Sequence, residues 1–222
     1  ITNEDQPVLD FGVGQIYYLN NRRVGICDTS AASCLTSEIP NIKQKFSDVA
    51  DKLTYHISPQ WKFSLDNTYD FNFNRLDSLS YLLQYNKDPK HLANIEYSMS
   101  RYDYGSLSNE QISSGTPPPR NSQVIGSFIW QLTPPWHLLG RWNYSLSKHK
   151  SIDMFAGISY DSCCWFSSLG FRRFRDSVAD PNNPNDYSGR LNTSFMIQFE
   201  LKGLGSLSSA QLSKMAGNIP GY

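Results

Sequence analysis

The chain has no long hydrophobic run. Across its 222 residues, no stretch of about 18 apolar residues occurs, which excludes a membrane-spanning helix. It has no excess of either charge. Lys+Arg and Asp+Glu both number 20, which excludes the basic surface that nucleic-acid binding needs. It is short of catalytic and metal motifs. There is no Gly-x-Ser-x-Gly elbow and no His-Glu-x-x-His. The four histidines (His56, His91, His137 and His149) are scattered, and with two adjacent thiols they make no zinc-ligand spacing. No metal and no cofactor is expected. Ile1 to Asp10 lacks the charged start and apolar core of a secretion signal, and we read the chain as a mature product or an excised fragment.

Aromatic residues, by contrast, are abundant. They make up 14% of the chain, mostly Tyr (13) and Phe (12), and within a polar average they point to β-structure. Alternation carries the point further. From Trp61 to Phe73 one parity reads Trp61, Phe63, Leu65, Asn67, Tyr69, Phe71, Phe73, and the other Lys62, Ser64, Asp66, Thr68, Asp70, Asn72. From Leu191 to Lys202 the apolar parity is Leu191, Thr193, Phe195, Ile197, Phe199, Leu201, against Asn192, Ser194, Met196, Gln198, Glu200, Lys202. Ten strands are expected, near 9–19, 48–58, 61–74, 78–87, 91–102, 122–132, 136–147, 152–163, 165–175 and 191–203. Most run about 10 to 13 residues, whereas a soluble strand averages about 5 to 6 and a tilted membrane-spanning strand needs about 9 to 11.

The connections alternate in length. Ser58-Pro59-Gln60, Lys87 to Lys90, Thr133-Pro134-Pro135 and the turn at Cys164-Trp165 are tight. Residues 20–47, 103–121 and 176–190 are long, with 74–77 and 148–151 as brief members of the long set. Outer-membrane barrels place short turns on the periplasmic side and long loops outside. Trp61, Trp136, Trp165, Tyr144, Tyr17 and Tyr18 fall near strand ends, where an interfacial girdle belongs. The expected fold is therefore all-β: an antiparallel transmembrane β-barrel segment of about ten strands, part of a larger barrel and not closed on its own. Residues 1–203 form the wall and 204–222 a periplasmic tail, with a short helix at Ser209 to Ala216. A large soluble β-protein is the competing fold. A stand-alone ten-stranded outer-membrane surface enzyme of protease or lipase type is the competing function, drawing on Asp66, Asp70, Asp103, His91 or His149.

The four cysteines divide between the two sides. Cys27 and Cys34 lie in the first long loop, and Cys163 and Cys164 at the opposite end of the wall. A hydrocarbon core about 30 Å thick separates them, while a disulfide needs Cα atoms within about 7 Å. Within the chain this leaves a Cys27–Cys34 loop staple and a strained Cys163–Cys164 bond. The alternative is that Cys163 and Cys164 pair with cysteines outside this chain, in the oxidising periplasm.

The segment "YDSCCWFSSLGFRRF" (160–174) resembles the double-cysteine segment of the lipopolysaccharide-assembly outer-membrane family LptD, also called organic solvent tolerance protein. "FGVGQIYYLNNRRV" (11–24), "FMIQFELKGLGSL" (195–207) and "GNIPGY" (217–222) resemble other parts of its barrel and C-terminus, in family order. The resemblance implies a barrel of about 26 strands of which this chain holds the last ten or so, a preceding periplasmic jellyroll, and disulfides from Cys163 and Cys164 to the N-terminal part of the same polypeptide. It implies no enzyme but transfer of lipopolysaccharide to the outer leaflet of a Gram-negative cell. The implied partners are a lipoprotein plug (LptE-like) and a periplasmic bridge protein (LptA-like). Lateral exit would lie beside the last strand, whose outward residues are Phe195, Ile197, Phe199 and Leu201. Cys27 and Cys34 match no family cysteine.

Overall fold

The structure is a computed structural model that describes residues 8–20, 45–71, 74–101, 120–175, 189–202 and 219–221. Ten strands follow in chain order: β1 (Leu9–Gly14), β2 (Val49–Ser58), β3 (Trp61–Asp70), β4 (Arg75–Asp88), β5 (His91–Arg101), β6 (Arg120–Thr133), β7 (Trp136–Ser145), β8 (Lys150–Asp161), β9 (Trp165–Arg175) and β10 (Leu191–Leu201). They form one antiparallel sheet in sequential order. Among the described residues β1 pairs only with β2 and β10 only with β9. The sheet is open, as expected of a piece of a larger barrel, and no second sheet packs on it.

Two boundaries differ most from the expected ones, each for a local reason, and the others by three residues or fewer. β1 stops at Gly14 rather than running to 19. There the ladder is interrupted by side chains: Ser47 Oγ accepts from the Ile16 N–H at 2.8 Å, and Gln15 Nε2 donates to the Ser47 carbonyl at 3.0 Å. Pairing resumes at the Tyr17–Phe46 bridge, where the Tyr18 N–H donates to Lys45 O at 2.7 Å. Likewise β3 ends at Asp70, not 74, and β4 begins at Arg75. Asn74 takes φ 49°, a left-handed conformation that asparagine tolerates better than most residues. Its side chain accepts the Tyr69 hydroxyl at 2.6 Å.

The registers define a tilt. The row Trp61–Tyr85–Ala93–Phe128–Gly140–Ala156–Phe171–Phe195 crosses the sheet residue by residue. It starts at the turn end of β3 but meets β10 six residues above the turn end at Leu201. A stagger of about six residues over seven strand steps, with standard strand rise and spacing, corresponds to a tilt of about 30°. Barrel walls tilt in this way; flat sheets do not.

The two faces differ sharply. The outer face carries the aromatic and aliphatic rows. At its short-turn end a chain of ring contacts links Trp61 to Tyr85 (5.0 Å), Tyr85 to Trp130 (6.4 Å), Trp136 to Tyr160 (4.9 Å), Tyr160 to Trp165 (4.8 Å) and Trp165 to Phe199 (5.8 Å). The expected girdle residues Trp61, Trp136 and Trp165 all belong to it. On this face Gly140 makes room for a ring: a Cβ there would lie 2.6 Å from Phe128 Cε1. The inner face is polar for most of its area. Arg172 and Arg141 both pair with Asp153, at 2.9 and 3.7 Å. Asn143 donates to Gln123, which donates to Ser98, at 3.2 and 3.1 Å, joining three strands.

Ile95, exposed on the outer face, and Glu96, its inner-face neighbour, stand at the same height on β5. In the full-length protein folded into bilayers, Ile95→Arg is expected to lower unfolding stability by about 2–4 kcal/mol, the cost of arginine facing lipid near the midplane. Glu96→Arg is expected to cost under about 1 kcal/mol. A denaturant titration of both variants checks the assignment of faces, and equal losses would overturn it.

Candidate functional site

Two features stand at the end of the wall that carries the short turns. The first is the turn between β8 and β9. The Asp161 N–H donates to Pro135 O at 2.7 Å, fixing the turn to the neighbouring hairpin. The Ser162 N–H donates to Trp165 O at 2.9 Å and closes it. On the far side, the Lys202 N–H donates to Cys164 O at 2.8 Å. The Lys202 ammonium binds the Asp161 carboxylate and also donates to Ser162 O at 2.7 Å. The end of β10 thus clamps the turn.

Held this way, Cys163 and Cys164 are exposed free thiols, their sulfurs 3.0 Å apart. They are inequivalent. The hydrogen bond the two thiols share, aided by Ser162, draws the Cys163 thiol below its ordinary value and pushes Cys164 up. Cys163 is the better thiolate at neutral pH, hence the better nucleophile for disulfide exchange. Cys27 and Cys34 lie outside the described residues.

The second feature is β10. Its outward side chains Phe195, Ile197 and Phe199 are 74%, 83% and 62% exposed, and Leu201 is also exposed. The alternate residues Asn192, Ser194, Met196, Gln198 and Glu200 are half-buried on the inner face. One edge of this strand pairs along its whole length with β9. Its other edge faces no described strand, so the most exposed greasy row of the sheet lies beside an edge that no described strand pairs.

The residues of the enzyme alternative do not converge. Asp66 pairs with Lys52 at 3.8 Å in the open. His91 stands at the short-turn end of β5, several residues along the wall from Asp66 and paired with Asp88 at 3.0 Å, and Asp103 lies outside the described residues. Asp70 is drawn into a group that the sequence reading missed. It lies with Asp48 and Asp77 near the long-loop end, with Arg75 bonded to Asp77 at 2.8 Å and near Asp70 at 3.8 Å. The signal for it was the pair of ladder partners Asp70 and Arg75, an opposite-charge cross-strand match.

Comparison with known proteins bears directly on this wall. The family model for LptD, LPS transport system D, matches residues 1–136. The chain belongs to the LptD family. Similar proteins cover nearly all of it. "LPS-assembly protein LptD" of Francisella tularensis subsp. tularensis (strain FSC 198) is 26% identical over 226 residues, spanning 100% of this chain and 26% of the relative. The protein of that name from Coxiella burnetii (strain RSA 493 / Nine Mile phase I) is 30% identical over 211 residues, 93% of this chain and 23% of the relative. That of Legionella pneumophila (strain Lens) is 30% identical over 220 residues, 96% and 25%. This LptD-family chain therefore spans about a quarter of the length of the curated relatives it matches.

After reduction of the full-length LptD-family protein, iodoacetamide is expected to label Cys163 before Cys164 between about pH 7 and 8, because lowering a thiol's pKa raises its thiolate fraction at a given pH. Fragment-ion mapping of the Cys-Cys peptide reads the order. Preferential labelling of Cys164 would contradict the inequivalence of the two thiols.

Proposed function

We propose that this chain is the C-terminal part of an outer-membrane barrel that inserts lipopolysaccharide into the outer leaflet of a Gram-negative cell, with lateral exit beside β10. It acts as a transport wall and not as an enzyme. Residues 1–203 form the wall, and the tail of 204–222 begins on the periplasmic side. The observation that carries this reading is β10: its greasy row faces outward, its polar row faces inward, and one edge has no described partner.

The physics is that of an amphiphile. Acyl chains favour lipid and a charged headgroup favours water, so neither an intact bilayer nor a sealed wall lets both cross together. A seam between two strands lets the chains slip outward while the headgroup stays in a wet lumen. The inner face is suited to that headgroup, with the Arg141, Asp153 and Arg172 group and its serine and amide rows. Membership of the LptD family and relatives named LPS-assembly proteins support the same reading.

The partners follow. Lipopolysaccharide is the cargo, a lipoprotein plug (LptE-like) fills part of the lumen, and a periplasmic bridge (LptA-like) delivers to the short-turn side. Cys163 and Cys164, exposed on that side, form disulfides with cysteines of a preceding periplasmic region, tying wall to jellyroll. Cys27 and Cys34 staple the first long loop.

A photo-crosslinking residue at Ile197 or Phe199 of the full-length protein in cells is expected to capture lipopolysaccharide. The same residue at Ile95, equally outward but in mid-wall, is expected to capture several-fold less. Equal capture at both places, or none at β10, would sink lateral exit at this strand.

A further inference from the structure

Among the described residues the inner wall carries an apolar cluster, and a late segment of the same chain covers it. Leu92, Ile129 and Leu139 are consecutive ladder partners on β5, β6 and β7. With Phe155 of β8 they form a buried cluster, against which Met196 of β10 packs. Met196 lies in the same cross-strand row as Leu92, Ile129 and Leu139, and the two residues between are Gly157 and Gly170. The fifth member of the cluster is Ile219, only 2% exposed.

The next two residues are held as specifically. The Pro220 carbonyl accepts two amide hydrogens, from Gln84 Nε2 at 2.8 Å and Asn94 Nδ2 at 2.9 Å. Gln84 and Asn94 are themselves ladder partners, both buried. Gly221 takes φ +87°, and a Cβ there would collide with Gln84 Nε2 and lie 3.1 Å from Leu92 Cδ1. Only glycine satisfies both demands. Proline removes conformations of the free end that binding would otherwise have to freeze.

We propose that the inner wall carries a receptor site for the chain's own Ile219-Pro220-Gly221. Leu92, Ile129, Leu139 and Phe155 form its apolar pocket, and the Gln84–Asn94 amide pair its polar clamp. Three consecutive residues each meet a different and fitting feature: a branched apolar side chain in a greasy pocket, a carbonyl between two donors, and a backbone that no side chain could follow. The site ties this segment to β4 and β5 by hydrogen bonds and to β5–β8 through the pocket, whose edge Met196 of β10 closes. It also keeps this greasy patch of the wall covered. The inference rests on this geometry alone and stands or falls independently of lipid export.

The test uses the full-length protein with its natural partners, purified in detergent and treated briefly with proteinase K. Mass mapping follows cleavage between Gly217 and Tyr222, normalised to the free peptide of that sequence. The segment is expected to be protected. Gln84→Ala combined with Asn94→Ala removes two buried hydrogen bonds, and cleavage is expected to rise about tenfold or more. Gly221→Ala loosens the same contact from the ligand side with the wall untouched, and is expected to do likewise. It decides the matter if the wall variant fails to show the heat-modifiable mobility of a folded barrel. An unprotected wild-type segment, or protection unchanged in Gly221→Ala, would overturn the receptor site.

Discussion

A sheet that crosses lipid depends first on its ladder. Each N–H and C=O left without a partner in hydrocarbon costs several kcal/mol, so side-chain chemistry is free to vary only where the ladder is complete. In this chain the interior of the sheet meets that demand throughout. Strands of 10 to 14 residues from β2 to β10 pair along nearly their whole length, with shifts mostly beside turns. At the turns, proline and small polar residues replace the ladder: Pro59, Pro89 and Pro134-Pro135 need no N–H partner, and Ser58 Oγ accepts the N–H groups of Gln60 and Trp61. The demand goes unmet at β1 and β10. Those two edges are the reason the chain belongs to something larger, and the proposed exit uses one of them.

With backbone pairing satisfied, the two faces divide the remaining work. The outer face concentrates large rings near the short-turn end, where an indole or phenol places its apolar body in lipid and its polar atom near water. The inner face uses small and amide side chains in rows, and several of its charges pair across strands, as Arg141 and Arg172 do with Asp153. Arg172 both pairs with Asp153 and stacks on Phe174 at 4.7 Å, so its guanidinium is fixed from two directions. A polar wall with fixed charges suits a headgroup in transit, because it offers hydrogen bonds without an open greasy surface that would hold the acyl chains back. The greasy cluster under Ile219 is an exception, and the chain covers it itself.

Legibility in the sequence followed periodicity. β10 could be read residue by residue, because a strict alternation of Phe195, Ile197, Phe199 and Leu201 with polar neighbours has only one interpretation in a strand. The open sheet and its ten members were legible for the same reason. The end of β3 was not: Phe71 and Phe73 continue the apolar parity past Asp70, while the backbone obeys Asn74, whose left-handed turn leaves no mark in hydropathy. The interruption after Gly14 was equally hidden, since Ser47, which fills it, is 31 residues from Ile16. The cysteine turn was found from its composition, but the inequivalence of its two thiols depends on who donates to whom at a 3.0 Å contact. The carboxylate group of Asp48, Asp70 and Asp77 joins three separate stretches of chain, and the docking of Ile219 joins stretches more than a hundred residues apart. Neither has a period, so neither was visible until the sheet brought the pieces together.

The stagger sets how wide a closed wall of a given strand number would be. At a tilt of about 30°, ten strands closed on themselves would make a cylinder about 9 Å in radius, measured at the backbone, which inward side chains nearly fill. A barrel of about 26 strands at the same tilt has a radius of about 23 Å, which leaves a lumen for a plug and a bulky headgroup. The inner face distinguishes these cases. In the narrow cylinder, Gln84 and Asn94 would meet side chains from the opposite wall. Here they meet the chain's own last residues instead, with β1 and β10 apart. A gently curved wall leaves its lumenal amides facing open space, and a peptide folded back from the same chain is the nearest group able to satisfy them. The occupied Gln84–Asn94 clamp and the strand-free edge of β10 both belong to a sheet that does not close on itself among its described strands.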